Sequence, residues 1–239
     1  MLLKVDNLTK KIGNFQLKNI SFSLPAGYIL GLIGRNGAGK TSLLHCIMGL
    51  YKAERGKILI DGKSYEEAEL EIRNNIGTVL NEDLFENRLT VEANADKYGK
   101  YFRNYNKEEL DAYLKEFGVN PKKRFSNLSR GEKLKAQLAF ALAYHPKLLI
   151  LDEPTGNFDP EFRKKFIEIL KEFVADGTRS VILSTHLMEE LEQIGDYILY
   201  LENGQLRFFD DIETIRTEYF PKDVFTIEDW MYALAKGGE

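Results

Sequence analysis

The sequence predicts an α/β fold, a mostly parallel sheet interrupted by a helical insert, on three observations. Apolar runs that read as buried strands ("YILGLIG", "KLLILDE", "SVILSTH") alternate with helix patterns towards both ends of the chain. The stretch from about residue 66 to residue 119 is instead rich in charge, tyrosine and helix signals. A glycine-rich turn joins the first apolar strand directly to a helix.

The elements follow in order. "LLKVDNLTK" and "LKNISFSLPAG" read as short strands with turns, and "YILGLIG" as a strand ending in glycine. "KTSLLHCIMGL" is a helix that sets Leu43, Leu44, Ile47 and Met48 on one face and stops near Gly49. "GKILIDGK" runs as a strand into an Asp61-Gly62 turn. In "NKEELDAYLKEFG", Asn106 and Glu109 form a cap, Leu110, Tyr113, Leu114 and Phe117 line a face, and Gly118 ends the helix. Asn106–Glu109 is also a near miss for the guanine-recognising N-K-x-D motif, but it opens a helix rather than ending a strand. "EFRKKFIEILKEFVADG" is the helix between the last two strands, "KLLILDE" and "SVILSTH". "FTIEDWMYAL" reads as a terminal helix capped by Thr226 and Asp229, with Trp230 packed on the core.

Composition narrows the class. The 239 residues are 44% hydrophobic and 29% charged, enough for a packed core and typical of a globular chain. A net charge of −4 supplies no basic field, so nucleic acid is not an expected partner. The single cysteine, Cys46, excludes an internal disulfide framework and fits a reducing compartment. "MLLKVDNLTKK" lacks the apolar run of a signal peptide, and no segment reaches the ~18 uninterrupted apolar residues of a membrane span. The expected location is cytoplasmic, with any contact to a membrane made through a partner.

Chemistry concentrates in four places. Gly34, Arg35, Asn36, Gly37, Ala38, Gly39, Lys40 and Thr41 spell G-x-x-x-x-G-K-[ST] between a strand and a helix, followed by Ser42. Small residues there let successive backbone N–H groups point at phosphate oxygens, and the helix start adds its positive dipole end. Lys40 supplies a charge to the outer phosphates of a nucleoside triphosphate, and the Thr41 hydroxyl is the expected Mg²⁺ ligand. "LLILDEPT" ends an apolar strand with Asp152 and Glu153, acids that are costly there unless they meet a cation or water. Asp152 is expected at the same Mg²⁺, and Glu153 to orient or deprotonate the attacking water. His186, closing "SVILSTH", is expected at the terminal phosphate. In "NLSRGEKLK", Ser129 and Glu132 form a Ser-x-x-Glu helix cap, and a helix start is also a place to hold phosphate.

The order "GRNGAGKT", "NLSRGE", "LLILDEPT", "NFDP", "STH" resembles the ATP-binding cassette (ABC) ATPases over nearly the whole chain. The resemblance implies a P-loop NTPase (RecA-like) core with an N-terminal antiparallel β subdomain and an inserted α-helical subdomain. It divides the chain into residues 1–80 and 146–210 as catalytic core with β subdomain, 81–145 as helical subdomain and 211–239 as a C-terminal extension. The cofactors implied are ATP and Mg²⁺. The family's signature, L-S-G-G-Q, is here Leu128, Ser129, Arg130, Gly131 and Glu132, and in the family it faces the ATP of the other subunit in a head-to-tail dimer. Ser129, Arg130, Gly131, Glu132 and Asp159 are thereby implied to contact ATP across a homodimer or a heterodimer with a paralogue. Asn81 stands where the family has a metal-side glutamine; Ile12, or alternatively Phe15, stands where an aromatic contacts adenine; His186 is the switch histidine.

The closing segment is similar to that of ABC-2-type exporters of drugs and antimicrobial peptides. The resemblance therefore implies an exporter ATPase on the cytoplasmic side of the plasma membrane, acting on a separate transmembrane permease without binding cargo itself. The alternative is a soluble ABC ATPase serving an assembly complex of the iron–sulfur biogenesis type. Translation or DNA-maintenance cassettes carry two cassettes or a long coiled-coil insert, and no heptad run occurs here.

Overall fold

The computed structural model describes residues 1–219 together with Thr226 and Asp229. In chain order the elements are β1 (Leu3–Ile12), β2 (Phe15–Leu24), β3 (Ile29–Ile33), α1 (Lys40–Ile47), β4 (Arg55–Ile60), α2 (Tyr65–Asn74) and β5 (Ile76–Val79). Then come α3 (Val91–Gly99), α4 (Lys107–Glu116), α5 (Arg130–Leu142), β6 (Leu148–Asp152), α6 (Pro160–Val174), β7 (Ser180–Ser184), α7 (Met188–Ile194), β8 (Tyr197–Glu202) and β9 (Gln205–Asp211).

Two sheets form. β2, β1 and β4 pair antiparallel in that order, the N-terminal β subdomain expected. The main sheet runs β5-β6-β7-β3-β8-β9, parallel except for β9, which pairs antiparallel with β8 at the edge. The central strands β3, β6 and β7 are buried along their whole length, which explains their unbroken apolar sequences.

Period-two alternation then deals side chains to two cores. Leu30, Leu32, Leu148, Ile150, Ile182 and Leu199 face a core shared with α1 and the antiparallel sheet. Ile29, Ile33, Leu149, Leu151, Val181 and Leu183 face a second core shared with α4, α5 and α6. Aromatic rings knit the inserted helices to it: Phe85 and Phe125 meet edge to face at 5.3 Å, and Phe102 stacks on Tyr144 at 3.9 Å. The Tyr144 hydroxyl donates to the Ile76 carbonyl at 2.9 Å and so ties the end of α5 to β5.

Three features depart from the sequence expectations. β5 and the β8–β9 hairpin lay outside them. β5 has only four residues, Ile-Gly-Thr-Val, too short for a period. The third concerns His186: β7 ends at Ser184, because the Thr185 hydroxyl accepts the Leu187 N–H at 3.0 Å and turns the chain out of the sheet. His186 therefore lies on the loop beyond the strand. At the C-terminus the Thr226 hydroxyl accepts the Asp229 N–H at 3.0 Å, as a cap would, while Trp230 lies outside the described residues.

Candidate active site

The glycine turn Gly34–Gly39 leaves the carboxyl end of β3 and enters α1 at Lys40, in the crevice where open α/β sheets bind ligands. Lys40 is buried; its ammonium donates to the Gly34 carbonyl at 2.8 Å and lies 3.6 Å from Glu153 Oε1. One residue on, the Thr41 hydroxyl donates to Asp152 Oδ2 at 2.8 Å, although the two are 111 residues apart.

β6 delivers Asp152 as its last residue and leaves Glu153 just beyond it at φ 49°, a left-handed conformation that a non-glycine residue adopts only under constraint. The constraint is visible: the Glu153 N–H donates to the Ser184 carbonyl of β7 at 2.9 Å. His186 Nδ1 lies 4.0 Å from Glu153 Oε2. A cavity of about 250 Å³ is lined by Thr41, His45, Leu80, Asn81, Glu82, Asp152 and Glu153.

Asp152 Oδ1 is buried and lacks a hydrogen-bond partner, as does Ser184 Oγ on the adjacent strand. A buried carboxylate oxygen without a partner, beside a threonine hydroxyl and opposite an asparagine amide, suits a hard cation that takes oxygen ligands and keeps several waters. The donor set fits Mg²⁺. Among the described residues no cluster of three or more His, Cys, Asp or Glu offers another metal site.

The helix start at α5 makes the cap read from the sequence. Ser129 Oγ accepts the Glu132 N–H at 3.2 Å and Glu132 returns the contact to the Ser129 N–H at 2.7 Å. Lys123 adds a 3.0 Å ion pair to Glu132. Partial burial works against the charged form of Glu132, but the Ser129 N–H and the Lys123 ammonium outweigh it and hold its pKa below the ordinary value. Gly131 is backed closely by the chain after β6, since a Cβ there would stand 2.5 Å from the Asn157 carbonyl oxygen.

Arg130 turns within its own chain: Nη2 donates to Asn81 Oδ1 at 2.8 Å. Asp159 accepts the Phe162 N–H at 2.8 Å, with Pro160 opening α6, and pairs with Lys135 at 2.9 Å. Phe15 lies against the phosphate-loop backbone, where a Cβ on Gly39 would come within 2.6 Å of its ring. Ile12 is partly buried at the other side of the same β1–β2 turn.

Glu190 carries no sequence signal of its own, yet it joins three elements of this site. Its Oε2 accepts from the Thr155 hydroxyl at 2.9 Å and the Thr185 hydroxyl at 3.4 Å, and Oε1 lies 3.6 Å from Arg163 Nε. Burial pushes its pKa above the ordinary 4.5, and the two hydroxyls with the Arg163 and His186 charges offset only part of that. Folding therefore favours the protonated acid. That contribution is fully present below the unfolded pKa and is lost as pH rises through the folded one. Glu190→Gln is expected to melt above the wild type at pH 7.5, with the gain shrinking as pH falls to 4.5. Melting curves across that range check it, and a variant that melts lower at every pH would refute it.

Comparison with known proteins agrees with this geometry. A family model described as ABC transporter matches residues 17–156. The bacitracin transport ATP-binding protein BcrA of Bacillus licheniformis is 31% identical over 208 residues, covering 86% of this chain and 68% of its own length. The methionine import ATP-binding protein MetN of Protochlamydia amoebophila (strain UWE25) is 34% identical over 221 residues, covering 86% of this chain and 65% of its own. Among solved structures, a dimeric bacterial ABC transporter cassette superposes with a TM-score of 0.77 at 26% identity, over 88% of this chain and 98% of that one.

Proposed function

The chain belongs to the ABC transporter ATP-binding family, and from that premise we propose that it is the ATPase subunit of an exporter, working as a dimer beneath a separate membrane permease. The observation that carries the chemistry is the meeting of Thr41, Lys40, Asp152 and Glu153 at the mouth of the glycine turn. ATP binding and hydrolysis follow from it.

The backbone N–H groups of residues 34–42 and the Lys40 ammonium bind the phosphates. Thr41, Asp152 and Asn81 would hold Mg²⁺, which when bound supplies positive charge against the β- and γ-phosphate oxygens. Glu153 accepts the proton of the attacking water, and His186, beside it, holds the terminal phosphate in line. Ser129, Gly131, Glu132 and Asp159 face the ATP of a second subunit, either another copy or a paralogue. The likeness to a dimeric cassette supports that arrangement.

The permease contact is read from residues 81–145, taken here as the helical subdomain. Leu84, Phe85, Tyr98, Phe102, Phe140 and Tyr144 line an apolar groove of about 170 Å³ beside the exposed ring of Tyr101. A short amphipathic helix of a membrane protein would fill it. No described helix of this chain is itself long and apolar enough to cross a membrane. Export of a drug or amphipathic peptide is supported by the likeness to BcrA, while the likeness to MetN makes direction a matter for transport assays.

The test is affinity purification from solubilised membranes. An integral membrane protein should co-purify, and Leu84→Glu should cut its recovery at least about fivefold with the melting temperature kept, as for a hot-spot anchor. Recovery of soluble partners alone would sink the transporter reading.

A further inference from the structure

One face of α5 is fastened to the loop that follows β5. Arg130, Lys133 and Gln137 lie three and four residues apart, on the same side of the helix. The buried Gln137 accepts the Leu80 N–H at 2.9 Å and donates to the Glu82 carbonyl at 3.0 Å, so it fixes the backbone on both sides of Asn81. Lys133 grips the Asp83 carboxylate at 2.8 Å. Arg130 takes the Asn81 amide oxygen at 2.8 Å, with its other amino group 3.8 Å from Asp83.

With its backbone pinned, Asn81 has one side-chain choice: the guanidinium, or the cavity it lines with Thr41 and Asp152. A guanidinium has donors only, so it must meet the amide oxygen. That oxygen is also the one atom of Asn81 able to ligate a hard cation. Two positive groups drawing on one oxygen repel each other across a short distance.

We propose that Arg130 acts within its own chain as a positioning residue for Asn81, holding the amide oxygen away from the metal side of the nucleotide cavity. The inference rests on the ATPase reading of that cavity. It makes Arg130 a restraint on Mg²⁺ uptake. An anion of a second subunit that drew the guanidinium away would release Asn81, so subunit closure and metal binding would be coupled through one hydrogen bond.

The experiment is equilibrium binding of ATP to the full chain across a Mg²⁺ titration, for wild type, Arg130→Ala, Asn81→Ala and the double variant. Arg130→Ala is expected to lower the half-saturating Mg²⁺ concentration about three- to tenfold, and Asn81→Ala to raise it. In the Asn81→Ala background the Arg130 substitution should then have no effect, because the residue works through its neighbour. A proton–nitrogen spectrum gives the second readout: the Asn81 side-chain amide resonance should move in Arg130→Ala without nucleotide present. Arg130→Gln, which keeps length and loses charge, replaces the alanine variant if that one folds poorly, with the same direction expected.

An Arg130 effect of equal size in both backgrounds would mean a direct phosphate contact and overturn the inference. So would an unmoved amide resonance. Failure of the wild type to bind ATP would instead overturn the functional reading, and the two failures are told apart by that measurement.

Discussion

Glu153→Gln is expected to bind ATP as the wild type does and to lose turnover by about 10²- to 10⁴-fold, the range typical of a missing general base. The substitution keeps length and shape. It also keeps the left-handed backbone at φ 49°, since the Glu153 N–H bond to Ser184 is a main-chain contact. What disappears is one negative charge 3.6 Å from the Lys40 ammonium and 4.0 Å from His186. Lys40 is then drawn by phosphate alone, so ATP affinity should hold or rise. With closure intact and hydrolysis stopped, ATP should hold the variant as a dimer. Phosphate release measures the rate, and size-exclusion chromatography with and without ATP measures the dimer. A variant that turns over ATP at the wild-type rate would remove Glu153 from the role of base.

How much of this was legible in the sequence depends on the distance over which each contact is specified. The phosphate loop and the Ser129–Glu132 cap are local: each position in "GRNGAGKT" does its own part, and Ser-x-x-Glu closes on itself within one helical turn. The Thr41–Asp152 contact was also legible, because two strand-end motifs of one parallel sheet arrive at the same edge. Arg130 was not. Its partner Asn81 is 49 residues away, and only the packing of α5 beside β5 decides that the guanidinium turns inward. The same holds for Glu190, whose partners Thr155 and Arg163 come from a turn and a helix on the far side of β7. Asn203-Gly204 is a different case. It is a two-residue turn signal set between apolar residues, and local rules suffice to read it as a hairpin.

That turn carries the second large effect. Gly204→Ala is expected to destabilise the fold by about 3–5 kcal/mol, in the tail reserved for strain and backbone collision. At about 2–4 °C per kcal/mol for a chain of this size, the melting temperature should fall by roughly 10 °C. Asn203 and Gly204 have φ of 48° and 76°, as the hairpin between β8 and β9 requires. Gly204 is also a junction. Its N–H donates to the Ala38 carbonyl of the phosphate loop at 2.9 Å, and its own carbonyl accepts the Lys18 N–H of β2 at 2.8 Å. A Cβ at this position would stand 2.0 Å from the Gln16 carbonyl oxygen, a backbone atom that no rotamer change can move aside. Relief must come from displacing the turn, and the turn holds Ala38. ATP affinity should therefore fall together with stability, by tenfold or more, since about 1 Å of misplacement can cost up to 10²-fold. Asn203→Ala is the control that separates turn strain from loop support. Asn203 is exposed and has the same left-handed backbone, so it should lose about 1 kcal/mol from conformation and leave ATP affinity unchanged. If Gly204→Ala melts within about 2 °C of the wild type, less than the shift expected for 1 kcal/mol, the hairpin does not brace the phosphate loop.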